Sequence, residues 1–318
     1  MDRFLSATTA ILLVLATSGS AEYILKQNYD ASNFFDGFTF FTDSDPTKGF
    51  VQYVSADDAT AAGLARKVNN QIYLGVDDTT VLSASGAGRK SVRLESSQTF
   101  NNGLLIADLA HIPNNTCGTW PAYWTINNQG NPYGEIDIIE GINDQDYNDI
   151  SLHTSAQCTL TGGNQTGTGL RTDCNLDSSP GGCGVSGDSA SYGSGFNANG
   201  GGLYVLYLED ALKVWLFPRD SIPADITSGS PNPSSWGEPL MDFESQSGCS
   251  ISQNFIDQTI IFNIDFCGSN AGGQGWTDWS HCPQTTGVST CEAYVAANPS
   301  AFTESYFLIN SVKLYQTS

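Results

Sequence analysis

The feature that most constrains the fold is a series of short apolar runs separated by turn-forming residues. The runs are rich in Val, Ile, Leu, Tyr and Phe, and Gly, Asn, Asp and Ser lie between them. They lie at residues 50–54, 71–76, 91–94, 104–109, 202–208, 212–217, 259–266 and 306–315. The fifth and sixth runs are close enough to predict a β-hairpin, and one short helix is predicted at 291–297. Because no long helical pattern occurs, the chain is predicted to be all-β, with two stacked antiparallel sheets.

The N-terminus has the pattern of a secretory signal. Arg3 precedes an apolar run at residues 10–16, and small residues follow at 17–21. The run is too short to span a bilayer, and the small residues suit signal peptidase. We therefore expect residues 1–20 to be a signal peptide and, because no repeat or linker is visible, residues 21–318 to be a single domain. The last residues form no apolar tail, so no lipid anchor is expected.

The cysteines indicate an extracellular protein. All eight follow the predicted signal, at positions 117, 158, 174, 183, 249, 267, 282 and 291. An even number in a secreted chain predicts up to four disulfides, and roughly a hundred pairings are possible, so the connectivity stays open. The irregular spacing contains no CxxC pair, so neither a zinc site nor a cofactor is expected. Asn114 and Asn164 each begin an N-glycosylation sequon.

The charge balance narrows the classes of partner. With 12 basic and 33 acidic residues, the net charge is −21. Phosphate binding needs clustered Lys and Arg, so no nucleic acid and no anionic membrane is expected as a partner. Charged residues make up only 14% of the chain and glycines number 33, which is typical of a secreted all-β domain. We expect a monomer that meets a neutral substrate.

Residues 134–141 read GEIDIIEG and place three carboxylates among isoleucines. A helix would not bring these acids to one face, and β-branched isoleucines favour a strand. On a regular strand Glu135 and Asp137 share a face, whereas Glu140 points to the isoleucine face. A β-bulge near residues 138–139 would turn Glu140 to join the other two acids. A solvated charged face would mix Lys, Ser and Thr with the acids, so we interpret the three acids as functional.

Two carboxylates on one wall, with aromatic residues nearby and no metal motif, describe glycoside chemistry. One acid protonates the leaving oxygen while the other supports the charge that develops on the sugar. Acids on either side of a bulge would approach the roughly 5–5.5 Å separation of retaining enzymes. Inverting enzymes need roughly 6.5–9.5 Å, which leaves room for a water molecule. The spacing therefore favours retaining hydrolysis.

The acid motif resembles the bulged catalytic signature of glycoside hydrolase family 16. The flanking blocks are similar to those of its secreted fungal laminarinase-type members. These blocks are residues 45–49 (DPTKG), 118–124 (GTWPAYW), 141–144 (GIND), 152–154 (LHT), 194–202 (SGFNANGGG) and 213–219 (KVWLFPR). The resemblance runs from about residue 23 to residue 315, and the order of the blocks makes it specific.

The resemblance implies a fold and an activity. The fold is a β-sandwich jelly roll of two antiparallel sheets with a concave substrate cleft, in a single catalytic domain. The activity is endo-acting, retaining hydrolysis of β-1,3-glucan or mixed-linkage β-1,3/1,4-glucan, so the expected partner is a β-glucan polysaccharide. By motif position, Glu135 would be the nucleophile, Glu140 the general acid/base, and Asp137 a hydrogen-bond partner of Glu135. Anionic Glu135 should raise the pKa of Glu140, which then holds a proton until Glu135 is esterified.

Four further residues are expected to bind substrate. The resemblance makes Trp120 and Trp124 sugar-stacking platforms, although either could instead be a tryptophan of the sandwich core. His153 is expected to contact the sugar at the cleavage point or the acids, whereas a lone histidine is more often structural. Arg93 is expected to bind sugar hydroxyls on the donor side or to cap a sheet edge.

The chain departs from the laminarinase pattern at two positions. Asn131 and Asn270 stand where tryptophans are expected, and Tyr133 is expected to compensate near the first. The linkage preference therefore stays open. Residues 159–202 contain 13 glycines and two cysteines, and we interpret this long irregular segment as loops beside the site.

Three alternative functions stay open. A β-glucan-binding protein without catalysis would be expected to have lost an acid. A cell-wall β-glucan transglycosylase would use the same acids, with a sugar acceptor in place of water. A calcium site would need roughly six to eight oxygen ligands, more than a strand of isoleucines supplies, and EDTA would distinguish it.

Overall fold

The structure is a computed structural model that describes residues 22–317 apart from 156, 179, 180 and 247. The predicted secretory signal at residues 1–20 lies outside the described residues. The longest described helix has seven residues, so within this part of the chain no helix could cross a lipid bilayer.

Strands dominate the described residues, and nineteen of them are present. They are β1 (Tyr23–Asp30), β2 (Phe38–Phe40), β3 (Val51–Tyr53), β4 (Ala65–Val68), β5 (Gln71–Gly75), β6 (Arg89–Ser91), β7 (Arg93–Phe100), β8 (Gly103–His111), β9 (Thr119–Asn127), β10 (Gly134–Glu140), β11 (Asp149–Thr154), β12 (Thr161–Gly162), β13 (Thr168–Arg171), β14 (Cys183–Ser186), β15 (Gly202–Leu208), β16 (Ala211–Pro218), β17 (Met241–Glu244), β18 (Gln258–Phe266) and β19 (Tyr306–Thr317).

The helices are short and lie mainly between strands. They are α1 (Phe34–Gly37), α2 (Ala56–Ala61), α3 (Gly193–Ala198), α4 (Ala224–Thr227), α5 (Ile251–Asn254), α6 (Gly268–Ala271), α7 (Gly273–Thr277), α8 (Cys282–Thr286) and α9 (Cys291–Ala297), with 3₁₀ turns at Pro233–Ser235 and Pro299–Phe302. The predicted short helix at 291–297 coincides with α9.

Two large antiparallel sheets form a sandwich. Within the described residues, the first sheet has nine strands in the order β12-β17-β16-β15-β8-β19-β5-β4, with β1 also paired to β19. The second has eight strands in the order β13-β14-β11-β10-β9-β18-β7-β2. A small parallel pair, β3 and β6, was not predicted. The all-β sandwich of two antiparallel sheets is confirmed.

The inner faces of the sheets share one hydrophobic core. Tyr123 of β9, Phe262 of β18 and Phe307 of β19 are fully buried, and the Phe262 and Phe307 rings, from opposite sheets, lie 5.5 Å apart. Side chains alternate across each strand, so the residues beside Tyr123 and Phe262 point outward from the eight-stranded sheet. The outward face of this sheet carries the acids.

The nine-stranded sheet is covered on both faces. A second apolar cluster, which includes Leu203, Val205 and Trp215, lies on its outer face and packs against Ile226 and Trp236. Burial on both faces explains the unbroken apolar run of β15. The predicted hairpin is confirmed as β15 and β16, although its turn has two residues rather than three, because Ala211 already belongs to β16.

Candidate active site

The acids lie on β10, in the interior of the eight-stranded sheet between β9 and β11. The pairing of β10 with β9 shifts between Asp137 and Ile139, which leaves Ile138 as an extra residue. The predicted β-bulge is thereby confirmed. It turns Glu140 to the face that carries Glu135 and Asp137, and all three acids line one cavity.

The bulge is held by Asn148, a fully buried residue just before β11. Asn148 Nδ2 donates to the Ile138 carbonyl at 2.9 Å, and its Oδ1 accepts from the Glu140 backbone N–H at 2.9 Å. A bulge leaves backbone N–H and carbonyl groups without a hydrogen-bond partner on the neighbouring strand, and buried backbone groups need such partners. The Asn148 N–H in turn donates to Ser191 Oγ at 3.0 Å. The backbone that carries Glu140 is therefore fixed from a neighbouring loop.

Glu135 and Asp137 have different polar partners. The Tyr133 hydroxyl donates a hydrogen bond to Glu135 Oε2. Asp137 is 3% exposed, and its Oδ2 lies 3.3 Å from His153 Nε2 on β11. An oxygen of each acid and a ring nitrogen of His153 lie within 4.8 Å of one another. These three donors could approach one cation, but they are fewer than the roughly six to eight oxygens that calcium takes.

Trp120 and Trp124 are half-buried residues on the outward face of β9, and both line the cavity. Trp120 Nε1 donates to Glu140 Oε1 at 2.7 Å, and Trp124 Nε1 donates to Asn263 Oδ1 at 2.7 Å. The guanidinium of Arg93 lies 5.2 Å from the Trp124 ring centre. All three predicted residues thus lie in the cleft, whereas Trp215 is buried in the cluster on the outer face of the nine-stranded sheet and Trp276 is buried on α7.

The cleft has a depression on each side of the acids. One, of about 400 Å³, lies over β7, β18, β9 and β10 and is lined by Arg93, Trp124 and Tyr133. The other, of about 660 Å³, extends over β11 and β13 and is lined by His153 and Trp279. Both depressions contact Glu135, Glu140 and Trp120, so the acids lie at their junction.

The loops of the glycine-rich segment border the second depression, as predicted. The segment contains β12, β13, β14 and α3, and Arg171, Leu176 and Gly181 line the depression. Gly182 has a φ of +92°, and a Cβ there would lie 2.4 Å from His153 Cε1, so this close approach requires glycine.

The eight cysteines form four disulfides, whose pairing the sequence left open. The bonds join Cys117 to Cys282, Cys158 to Cys249, Cys174 to Cys183 and Cys267 to Cys291. The Cys174–Cys183 bond lies within the glycine-rich segment, and the Cys158–Cys249 bond anchors the residue just before it. The other two bonds anchor the helical segment 267–291, which carries Trp279.

Burial raises the pKa of each acid on β10. The value for Glu135 is about 7, and the values for Asp137 and Glu140 are higher. For Glu140, burial is the largest cause of the raised pKa, the charge of Asp137 the second, and the charge of Glu135 a smaller one. Glu135 therefore raises the pKa of Glu140, as expected, but its charge is a minor cause beside burial and Asp137.

A second carboxyl pair lies in the wall of the first depression. Thr47 Oγ1 is 2.5 Å from Asp45 Oδ2 and 2.8 Å from Asp265 Oδ2. Burial and the charge of Asp45 raise the pKa of Asp265 to about 8. Neither acid was singled out in the sequence, because isolated Asp residues are common in loops and at strand ends.

These buried carboxyl groups predict that stability falls as the pH rises. Each binds its proton more tightly in the folded than in the unfolded chain, so the stabilisation is complete below about pH 4 and is lost up to about pH 8. His111, whose pKa burial lowers, opposes the trend. Urea unfolding between pH 4.5 and 8.5 should show a falling free energy of unfolding.

A neutral substitution tests the cause of this trend. Asp265→Asn should reduce the slope between pH 5 and 8 by about 1 kcal/mol per pH unit, since one proton linkage is removed. The control Asp57→Asn, at an exposed position, should leave the slope unchanged. A free energy of unfolding that stays flat or rises over this range would contradict the prediction.

Four residues of the site were missed or only partly recognised in the sequence. Tyr133 was expected to replace an aromatic platform rather than to contact Glu135. Asn148 and Asn263 lie among many turn-forming asparagines, so no local pattern marks them. Trp279 is 63% exposed in the second depression, which is also lined by Asn270, where a tryptophan was expected.

Comparison with known sequences gives a family match. The profile described as "XgeA-like, catalytic GH16 domain" matches residues 38–315. A probable endo-1,3(4)-beta-glucanase of Aspergillus niger is 42% identical over 97% of the chain and 42% of its own length. An endo-1,3(4)-beta-glucanase of Arthroderma benhamiae is 41% identical over 97% of the chain and 68% of its own length. The chain spans about half the length of most of the curated relatives it matches.

Solved structures give a matching fold. An elongating GH family 16 beta-1,3-glucosyltransferase superposes with a TM-score of 0.85 at 42% identity, covering 92% of this chain and all of that one. Laminarinase 16A from Phanerochaete chrysosporium, solved with 6-O-glucosyl-laminaritriose in donor and acceptor sites, superposes with a TM-score of 0.85 at 38% identity. That match covers 93% of this chain and all of that one.

Proposed function

The chain belongs to glycoside hydrolase family 16, and on this basis we propose that it cleaves β-1,3-glucan and mixed-linkage β-1,3/1,4-glucan internally, with retention. The observation that carries the proposal is the bulged strand that presents Glu135, Asp137 and Glu140 at the junction of two depressions. Sugar-binding surface on both sides of the acids suits a chain that is cut in its interior. The relatives named endo-1,3(4)-beta-glucanases support the substrate class.

In the first step, Glu135 attacks the anomeric carbon and the glycosidic bond breaks. The Tyr133 hydroxyl donates to Glu135, and His153 and Arg93 lower its pKa, so Glu135 is the acid assigned the anionic form. Glu140 gives its proton to the leaving oxygen. Because Trp120 Nε1 donates to Glu140 Oε1, that oxygen is an acceptor, and Oε2 carries the proton.

In the second step, water hydrolyses the glycosyl-enzyme ester. Esterification removes the charge of Glu135, and Glu140, which lost its proton in the first step, now accepts one from water. The water oxygen bonds to the anomeric carbon while the Glu135 carboxylate leaves. Two inversions give net retention.

Asp137 and His153 support this cycle through Glu135. Burial raises the pKa of Asp137, so its protonated form can donate to Glu135, and His153 lowers the pKa of Glu135 and so favours its anionic form. Arg93 and Trp124 would bind donor-side sugars, and Trp279 would bind on the acceptor side.

The proposal is tested by product analysis of laminarin and cereal mixed-linkage glucan after incubation with the purified protein. A ladder of short oligosaccharides is expected, unaffected by EDTA. Their relative yields measure the linkage preference. Bound polysaccharide without new reducing ends would instead support the non-catalytic alternative, and loss of activity with EDTA would support the cation site.

A second candidate function is transfer of the glycosyl unit to another glucan. It is favoured by the similarity to an elongating beta-1,3-glucosyltransferase and by the exposed ring of Trp279 in the second depression. An acceptor sugar that stacks on this ring would compete with water for the glycosyl-enzyme.

Trp279→Ala should lower the ratio of transfer to hydrolysis by about 3- to 10-fold, as expected for the loss of one stacking contact. The measurement is the yield of products longer than the substrate when laminarioligosaccharides are supplied at high concentration. Val81→Ala, which removes an exposed apolar side chain elsewhere, is the control. An unchanged ratio would exclude Trp279 as an acceptor platform.

We also propose that the protein is secreted. Four disulfides are typical of proteins that fold in oxidising compartments, which supports an extracellular site of action. The monomeric state stays a prediction.

A further inference from the structure

The backbone of Tyr133 is held by two hydrogen bonds to Ser155, the residue that follows β11. Its backbone N–H donates to Ser155 Oγ at 3.1 Å, and its carbonyl accepts from the Ser155 N–H at 3.2 Å. These bonds extend the pairing of β10 with β11, which begins at Gly134 and Thr154. Residues two apart on an extended chain share a face, so the Tyr133 side chain lies beside Glu135.

The Tyr133 hydroxyl is a permanent donor to one oxygen of Glu135. It contacts Oε2, and both groups line the first depression. Burial and the charge of Glu135 raise the pKa of Tyr133 far above its ordinary value, so the hydroxyl keeps its proton throughout the pH range of catalysis. An oxygen engaged in this bond is a poorer nucleophile than its free partner, which leaves Glu135 Oε1 as the atom available for attack.

The hydrogen bond also favours the ionised form of Glu135. It lowers the pKa of Glu135 against the effect of burial. The charged groups that face Glu135 are Asp137 on the same strand, Glu140 beyond the bulge, His153 on β11 and Arg93 on β7. An ionised Asp137 disfavours the charge on Glu135, whereas His153 and Arg93 favour it, so Tyr133 is a neutral group that adds to the favourable side.

We propose that Tyr133 is a positioning residue that directs Glu135 Oε1 to the anomeric carbon and assists the departure of the Glu135 carboxylate in the second step. The inference rests on the proposed function. As water bonds to the anomeric carbon and Glu140 takes its proton, the electron pair of the C1–Oε1 bond returns to Glu135. The resulting charge spreads to Oε2, where the Tyr133 hydroxyl donates without losing its own proton.

Tyr133→Phe should therefore slow the second step more than the first. With an activated aryl β-laminaribioside, whose leaving group needs no proton, kcat should fall about 10- to 100-fold while kcat/KM falls less. The glycosyl-enzyme should accumulate and give a burst of aryl product. The acidic limb of the kcat/KM profile should move to higher pH, because Glu135 loses a bond that favours its charge.

The test compares this variant with the wild type and with Tyr207→Phe, which removes a hydroxyl on the other sheet. A burst and a displaced acidic limb in Tyr133→Phe alone would support the inference. Wild-type values for kcat, the burst and the pH profile would overturn it and leave the proposed function standing. A wild-type protein that cleaves no glucan would overturn both proposals.

A second variant keeps the inference testable if Tyr133→Phe does not fold. Replacing Tyr133 by a fluorotyrosine keeps the ring and hydroxyl and strengthens the donor. The acidic limb should then move to lower pH, opposite to the effect of phenylalanine. No movement of the limb, in a folded protein that retains the fluorotyrosine, would overturn the inference.

Discussion

Glu135→Gln is expected to lower kcat on laminarin by roughly 10⁴-fold or more, the scale seen when an enzyme loses its nucleophile. The amide occupies the same space and can still accept from Tyr133, but it cannot form a stable ester with the sugar. Because Glu135 is buried with a raised pKa, a neutral amide should keep or increase stability at neutral pH. Glucan binding should remain, since the walls of both depressions are unchanged.

The experiment combines three measurements on Glu135→Gln: release of reducing ends, thermal unfolding and retardation in gels that contain laminarin. Glu244→Gln, an exposed change on the other sheet, is the matched control. Residual activity above a tenth of the wild type would exclude Glu135 as the nucleophile. An unfolded variant would give Glu135 a structural role instead.

Glu140→Gln is expected to lower kcat on laminarin by about 10²- to 10⁴-fold, because proton transfer to the leaving oxygen is lost. An aryl laminaribioside with an activated leaving group needs no such proton, so its first step should stay close to the wild-type rate. The second step should then limit turnover, because no base activates water.

Azide distinguishes the roles of the two glutamates. It needs no general base, so it should restore turnover of the activated substrate by Glu140→Gln and give a β-glycosyl azide. The anomeric configuration can be read from the proton spectrum of the product. An α-glycosyl azide would mean that Glu140 is the nucleophile, and the absence of any rescue would remove Glu140 from the acid/base role.

The part of the site that was predictable is the part set by local periodicity. Side chains alternate along a strand, so acids at positions 135, 137 and 140 can share one face only if the strand contains one extra residue. Ile138 is that residue. The sheet architecture followed from apolar runs in the same way.

The strands that flank the acids were harder to recognise. β9 contains Pro121, and proline normally argues against a central strand. Pro121 is tolerated because the pairing of β9 with β10 extends only as far as Ala122, the next residue in the chain. On its other side Pro121 pairs with Ile264 of β18. No sequence pattern showed that the ladder would end there.

Contacts between distant residues were not predictable. Asn148 holds the bulge across a loop, and Trp120 reaches Glu140 from a neighbouring strand. Each depends on the fold rather than on local sequence. The disulfide pairing was unpredictable for the same reason, because the positions of eight cysteines in the sequence do not determine which of them the fold brings together.

Retaining cleavage by two glutamates on one bulged strand determines which anomer of the product forms first. The most direct test is a proton NMR time course of laminarin digestion, recorded before the new reducing ends mutarotate. We expect β-anomeric reducing ends to appear first and the α-anomer to follow by mutarotation. Initial formation of the α-anomer would show inversion and would contradict a glycosyl-enzyme on Glu135.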